Sequence, residues 1–243
     1  MIIRRVALKV KAVFFDAGDT LFYSKGGFPV RARALTVRFK ELGYSLNEAD
    51  VLNSIRKVAE YFEMLDEDVE FCRKYWISLI LLNLGIKRKH HDLIEALYEA
   101  YRRASLEDTF IYESATQVLE ELKQRGFLLG LISNTTDYEG LKDILKKFQV
   151  FDLFDAIAAS ALTTWRKPRR EIFYYALNQL DVEPYEAVHI GDSLKRDVGG
   201  AKAVGMYAIW KFKEGEKLED SNVKPDFIIK NLREVLDLLE PIR

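Results

Sequence analysis

The chain has 243 residues, of which 49% are hydrophobic and 31% charged, and its formal net charge is −1. This length and composition support a globular protein with a real core rather than a disordered chain. A net charge this close to zero provides no general attraction for nucleic acid or an anionic membrane, so a phosphate ligand would need a local positive site. The single cysteine excludes an intramolecular disulfide.

The first eleven residues mix apolar and charged side chains and lack a small-residue cleavage pattern. We therefore expect no secretory signal there. No apolar run approaches the length that spans a bilayer. The sequence thus predicts a cytoplasmic protein with neither a membrane nor a nucleic-acid partner, as a monomer or a homodimer.

The first predicted strand covers residues 11–15 and ends at Asp16, after which Gly18 breaks the pattern. A short apolar run that stops at a carboxylate places that carboxylate at the C-terminal end of the strand. In open α/β sheets ligands bind in the crevice outside these strand ends. Asp16 is therefore a candidate ligand-facing residue.

A long stretch without strands follows. Helical spacing and terminal signals, among them Asn47 as an N-cap and Gly43 and Gly85 as stops, predict four helices. They cover residues 30–42, 48–64, 69–84 and 92–104. Four consecutive helices with no strand between them indicate a separate helical layer or bundle.

From Ser114 onward the pattern alternates between strands and helices. Predicted strands cover residues 127–132, 155–159, 187–190, 206–210 and 227–229, and predicted helices cover 115–125, 138–148, 169–180, 195–204 and 232–239. Continuous apolar strands alternating with helices are typical of a parallel sheet covered on both faces. The fold class is therefore α/β, a Rossmann-like parallel-sheet core over residues 1–22 and 108–243, with an inserted all-helical domain over residues 23–107.

Polar residues that could take part in catalysis or binding follow several of these strands: Asp16 with Thr20, Ser133 with Asn134, and Asp192 with Asp197. Lys167, before Pro168, lies in a loop between the later strands. Grouped carboxylates repel one another unless a cation neutralises them. Hard oxygen ligands with open positions suit Mg²⁺, which also takes substrate phosphate oxygens. Lys167 supplies positive charge, although Arg166 and Arg169 flank it and the three could form a merely solvated basic loop.

Taken in order, these motifs resemble those of the haloacid dehalogenase superfamily, most of whose members are phosphatases, and the resemblance covers nearly the whole chain. It implies an inserted helical cap and a Mg²⁺-dependent phosphatase of small phosphorylated metabolites. Asp16 is similar to the family's nucleophile, which forms an aspartyl-phosphate. Ser133, Asn134 and Lys167 are similar to residues that bind the phosphate. Asp16, the Gly18 carbonyl and Asp192 are implied as metal ligands, and Asp197 as a ligand or a residue that orients the site.

One part of the family pattern is missing. The resemblance implies a second Asp two residues after the nucleophile, which protonates the leaving oxygen, but this position is Gly18. General acid–base catalysis contributes about 10²- to 10⁴-fold, so the loss matters for poor leaving groups. Asp19 could take over this role. Otherwise the enzyme could act on substrates with good leaving groups, or use a cap residue or water.

A third interpretation is that the protein is not a phosphatase. The 2-haloacid dehalogenases also lack this acid but need no metal, and Asp192 would repel their substrate carboxylate. Phosphonate hydrolases also lack it but use a cap lysine, for which Lys25, Lys40 and Lys57 are open candidates. A catalytically weak binding protein is the remaining alternative, although a scaffold has no need for the site residues.

Overall fold

The computed structural model describes residues 7–64, 68–87, 91–213 and 223–242. The prediction that the first eleven residues are not a secretory signal falls partly on residues 1–6, which lie outside the described part of the chain. Among the described helices, none combines the length and the apolar character needed to cross a membrane.

The described strands are β1 (Leu8–Val10), β2 (Ala12–Phe15), β3 (Phe22–Ser24), β4 (Thr109–Ile111), β5 (Leu128–Ser133), β6 (Ala156–Ala159), β7 (Ala187–Gly191), β8 (Tyr207–Lys211), β9 (Phe227–Ile229) and β10 (Leu239–Pro241). Six of them form one parallel sheet in the order β6-β5-β2-β7-β8-β9. Every residue of β2 is buried, as expected for a central strand that is covered on both faces.

The described α-helices are α1 (Gly27–Glu41), α2 (Glu48–Met64), α3 (Arg73–Asn83), α4 (His91–Glu107), α5 (Ala115–Gln124), α6 (Tyr138–Lys147), α7 (Ser160–Thr163), α8 (Arg170–Leu180), α9 (Gly200–Val204) and α10 (Val235–Leu238). Adjacent strand residues point to opposite faces of a sheet. Phe15 accordingly packs in one apolar cluster with Leu119 of α5, and Phe14 packs in another with Phe173 of α8. The predicted fold class, a parallel sheet with helices on both faces, is confirmed.

Helices α1–α4, here called the helical insertion, lie between β3 and β4 in the chain. They bury an apolar cluster of their own, which includes Leu35, Ile55, Ile80 and Leu97. Strands β3 and β4 pair antiparallel, with Tyr23 opposite Phe110, and so bring the two ends of the insertion together. The division of the chain into domains at residues 23 and 107 stays a prediction.

The helix predicted over residues 69–84 begins only at Arg73. The segment before it forms a bridge between Val69 and Trp165, and the Glu70 amide donates to the Thr164 carbonyl at 2.7 Å. These backbone groups find partners in the loop before α8, so the segment has no need of helical hydrogen bonds. Helical periodicity alone could not reveal these distant partners.

Two C-terminal elements also differ from the prediction. Residues 195–204 divide into a π-helical turn over Leu194–Gly199 followed by α9. The helix predicted over 232–239 ends at Leu238, because the next residues form β10 and pair parallel with β1, with Leu239 opposite Leu8.

Candidate active site

The carboxyl ends of three neighbouring strands meet at one edge of the parallel sheet. Phe15 of β2 lies opposite Leu131 of β5 and Ile190 of β7. The chain leaves these strands at Asp16, Ser133 and Gly191, so the polar residues that the sequence places after separate strands lie near one another. This is the edge at which ligands bind in open α/β sheets.

Three carboxylates form a cluster at this edge. Asp16, Asp192 and Asp197 each offer one oxygen, and these oxygens lie within 4.8 Å of one another. The π-helical turn brings Asp197 close to β7: a Cβ added to Gly191 would lie 2.2 Å from the Asp197 carboxyl carbon. Position 191 therefore requires glycine, since any side chain would displace the Asp197 carboxylate.

Lys167 is the buried cation of the cluster. Its Nζ donates to Asp16 Oδ1 at 2.6 Å, to Asp197 Oδ1 at 2.7 Å and to the Ile132 carbonyl at 2.6 Å. Asn134 fixes the backbone of Lys167, because its Oδ1 accepts from the Lys167 amide at 2.7 Å and its Nδ2 donates to the Lys167 carbonyl at 3.0 Å. Both polar groups of Asn134 are thus engaged with the loop that carries the lysine.

One buried lysine does not neutralise the cluster. Burial, with Asp197 and Asp192 nearby, raises the pKa of Asp16 to about 7 against the opposing charge of Lys167. Burial and the charge of Asp197 also raise the pKa of Asp192. An anionic phosphate bound here would therefore meet the negative charge of Asp192 and Asp197 as well as the positive charge of Lys167.

Asp197 has most of its acceptor capacity in use. Its Oδ1 contacts Lys167 and also His189 Nε2, at 3.0 Å, and its Oδ2 accepts from the Ser193 amide at 2.9 Å. Although burial opposes ionisation, Lys167 and His189 hold the pKa of Asp197 below its usual value. Burial lowers the pKa of His189, and its Nδ1 has no described partner, which fits a neutral ring donating from Nε2.

The turn after Asp16 carries the residues at issue for acid catalysis. Asp19 has a left-handed φ of 58°, and its Oδ2 pairs with Lys213 Nζ at 2.9 Å, which also lies 3.2 Å from Asp192 Oδ2. The Asp19 carboxylate is therefore engaged in an ion pair at the edge of the cluster. The hydrogen bonds of the turn join Asp19 N to Phe22 O and Phe22 N to Ala17 O, and among the described residues none uses a backbone polar atom of Gly18.

Ser133 ends β5 and is buried. Within the part of the chain that the structure describes, its hydroxyl makes no hydrogen bond. This hydroxyl can therefore donate to a bound anion, and the neighbouring Asn134 Nδ2 has a second N–H beyond the one that donates to the Lys167 carbonyl.

The arginines that flank Lys167 pair with the segment before α3. Arg166 Nη1 lies 3.0 Å from Glu70 Oε1, and Arg169 Nη1 lies 3.1 Å from Asp68 Oδ2. Ser160 Oγ donates to Glu70 Oε2 at 2.7 Å. The idea of a solvated basic loop is therefore wrong for these arginines, which attach the helical insertion beside the lysine.

Comparison with known proteins places this arrangement in a family. A model of the haloacid dehalogenase-like hydrolase family matches residues 47–211. The chain belongs to the haloacid dehalogenase-like hydrolase family. The predicted resemblance is confirmed, and the protein is a hydrolase of this family.

Two similar proteins are sugar-phosphate phosphatases. The glyceraldehyde 3-phosphate phosphatase of Methanopyrus kandleri is 27% identical over 96% of this chain and 98% of its own length. The ribulose-1,5-bisphosphate 5-phosphatase of Halopiger xanaduensis is 30% identical over 82% of this chain and 83% of its own. Among solved structures, a phosphatase of the same superfamily from Thermococcus onnurineus has a TM-score of 0.65, with 26% identity over 95% of this chain and 99% of that one.

Proposed function

We propose that this hydrolase is a Mg²⁺-dependent phosphatase of small phosphorylated metabolites that forms an aspartyl-phosphate on Asp16. The observation that carries the proposal is the contact of Asp16 with Lys167 at 2.6 Å inside a cluster of three carboxylates. A cavity of about 450 Å³ opens beside it, between the sheet edge and the helical insertion. A cavity of this size suits a small-molecule substrate, and we propose that the insertion acts as its cap.

The donor set fits Mg²⁺. Carboxylate oxygens of Asp16 and Asp192 and the Gly18 carbonyl are hard ligands of the kind that this ion takes. Burial, and after it the charge of neighbouring carboxylates, raises the pKa of both carboxyls, and a divalent cation bound there would favour their ionised forms. Bound there, Mg²⁺ would offset the charge of the substrate phosphate. Asp197, whose Oδ1 contacts both Lys167 and His189, is a positioning residue in this proposal.

Asp16 has one oxygen available for attack. Lys167 occupies Oδ1, while Oδ2 has no hydrogen-bond donor among the described residues. Oδ2 would form a bond to phosphorus as the bond to the ester oxygen breaks. Water would then attack the phosphorus of the acyl phosphate and release inorganic phosphate and the Asp16 carboxylate. Lys167 and the Ser133 hydroxyl would bind the phosphoryl oxygens in both steps.

In this proposal neither position 18 nor position 19 supplies an acid to the leaving oxygen. Gly18 carries no side chain, and the Asp19 carboxylate pairs with Lys213 at 2.9 Å. The proton would come from water, so leaving groups that need little protonation should react fastest. The phosphonate-hydrolase alternative loses support, because none of the described lysines lines the cavity.

The first test is hydrolysis of a panel of phosphate esters with Mg²⁺ and with EDTA. We expect release of inorganic phosphate only with the metal, and faster turnover of acetyl phosphate and p-nitrophenyl phosphate than of alkyl phosphates. Halide release from 2-chloropropionate in EDTA would instead support a dehalogenase. A folded protein without turnover on any substrate would support the binding-protein alternative.

The affinity for Mg²⁺ should depend on pH. Metal binding requires ionised carboxylates and therefore displaces protons. Because the pKa of Asp16 is raised to about 7, the apparent affinity should increase as pH rises to about 7 and then level off. Below that pH it should fall by about tenfold per unit if one proton is displaced. Calorimetric Mg²⁺ titrations across this range measure the dependence.

Two variants serve as comparisons in these titrations. Asp192→Asn should weaken Mg²⁺ binding at every pH, because it removes a proposed ligand. Asp237→Asn, which removes an exposed carboxylate of α10, should leave the titrations unchanged. Equal affinity in wild type and Asp192→Asn would contradict the proposed metal site.

A further inference from the structure

The cavity beside Asp16 has two chemically different sides. The sheet side includes Gly18, Asp19 and Ser133, and the side formed by the helical insertion includes Arg73 and Tyr101. A substrate whose phosphate reaches Asp16 would therefore place its remaining groups toward the insertion. The polar groups on that side would contact those remaining groups.

Among the described residues, three arginines line this cavity: Arg31, Arg73 and Arg102. Arg31 Nη1 lies 2.5 Å from Asp108 Oδ2, and Arg102 pairs with Glu99 at 3.0 Å and also with Asp143. Arg73 differs, because no carboxylate of the described residues forms an ion pair with it. Its positive charge is thus not neutralised by the described part of the protein.

Arg73 is nevertheless held in place. Its amide donates to the Thr136 carbonyl at 2.9 Å, which ties the start of α3 to the loop that follows Ser133. The guanidinium carbon lies 4.6 Å from the ring centre of Tyr101 and 4.9 Å from that of Trp76. Nη1 donates to Tyr101 Oη at 3.4 Å. Contact with aromatic faces orients a guanidinium through its planar face. The N–H donors at the edge of the guanidinium stay available for other hydrogen bonds.

We infer that Arg73 binds a second anionic group of the substrate, a carboxylate or a phosphate, at the end remote from the transferred phosphoryl group. This inference rests on the proposed function and names its substrate class: small phosphate esters that carry a further negative charge. A planar guanidinium matches either anion with two parallel hydrogen bonds. Charge-assisted hydrogen bonds of this kind are worth about 10- to 100-fold in affinity.

The test compares substrates that differ only in the distal group. For the carboxylate the pair is 3-phosphoglycerate and glyceraldehyde 3-phosphate, and for the phosphate it is ribulose 1,5-bisphosphate and ribulose 5-phosphate. Wild type should show a higher kcat/KM for the anionic member of at least one pair. The pair with the larger ratio identifies which anion is bound.

Variants of Arg73 assign the preference to this residue. Arg73→Gln should lower the anionic-to-neutral kcat/KM ratio by about 10- to 100-fold. Arg73→Lys keeps the positive charge but loses the two parallel N–H donors of the guanidinium, and it should lower the ratio less. Arg103→Gln removes an exposed charge next to a cavity arginine and should leave the ratio unchanged. A ratio near one in wild type, or the same ratio in Arg73→Gln, would overturn the inference.

A separate measurement distinguishes failure of the proposed function. Absence of p-nitrophenyl phosphate turnover in folded wild type would contradict the phosphatase. In that case calorimetry can test Arg73 without turnover. It measures the affinities of wild type and Arg73→Gln for 3-phosphoglycerate and for glyceraldehyde 3-phosphate. Loss of the carboxylate preference in the variant supports the anion subsite, and an unchanged preference overturns it.

Discussion

Replacement of Asp16 by Asn should lower kcat for p-nitrophenyl phosphate and acetyl phosphate by at least about 10⁴-fold, the order seen when a nucleophile is removed. An amide cannot form the acyl phosphate, although it retains the shape of the carboxylate. Lys167 keeps two of its acceptors in this variant, Asp197 Oδ1 and the Ile132 carbonyl. The fold should therefore survive, and steady-state rates together with thermal unfolding check both expectations.

The matched control is Asp19→Asn, which neutralises the neighbouring acid of the same turn. Because Asp19 forms a partly exposed ion pair with Lys213, its loss should change kcat by no more than about fivefold. Mass spectrometry of rapidly quenched wild type should find the phosphoryl group on Asp16. A phosphorylated residue elsewhere, or comparable losses in the two variants, would contradict Asp16 as the nucleophile.

The strand ends were predictable because they rest on local patterns. Short apolar runs that end in a carboxylate or a serine identify strand ends, and parallel strands bring these ends to one edge. Ser133 ends one strand, and Asp16 and Asp192 follow two others, and these strands are neighbours in the sheet. Sequence reasoning could thus select the candidate cluster without knowing the register of the strands.

The contacts around the cluster were not predictable, because they join residues far apart in the chain. Glu70 pairs with Arg166, and Lys213 lies between Asp19 and Asp192. The role of His189 depends on a π-helical turn that brings Asp197 to its ring. Nothing in the sequence distinguishes Arg73 from other arginines of the insertion, since its lack of a carboxylate partner among the described residues is a property of the folded protein.

Glycine at position 18 is not imposed by the local structure. A Cβ added there would meet no atom within 4 Å, and Gly18 is not among the glycines with a positive φ. The turn could therefore hold an aspartate at the position where the resemblance to the family implies an acid. The lack of a carboxyl side chain at position 18 changes the chemistry of the site, and no steric constraint requires glycine there.

Gly18→Asp should consequently increase kcat/KM for alkyl phosphates by up to about 10²- to 10⁴-fold, the range of general acid catalysis. The added carboxyl would protonate a poor leaving oxygen, whereas acetyl phosphate, whose leaving group needs little protonation, should gain far less. The measurement is kcat/KM across esters whose alcohols differ in pKa. The dependence of rate on leaving-group pKa should be steep in wild type and shallower in Gly18→Asp.

Gly18→Asn is the control, because it places a side chain of the same size on the same backbone without a proton to transfer. A rate gain in Gly18→Asp that is absent from Gly18→Asn would assign the effect to the acid rather than to rigidity or packing of the turn. Equal rates for the two variants across all esters would contradict this. A wild-type rate that is independent of leaving-group pKa would show that another proton donor already serves the site.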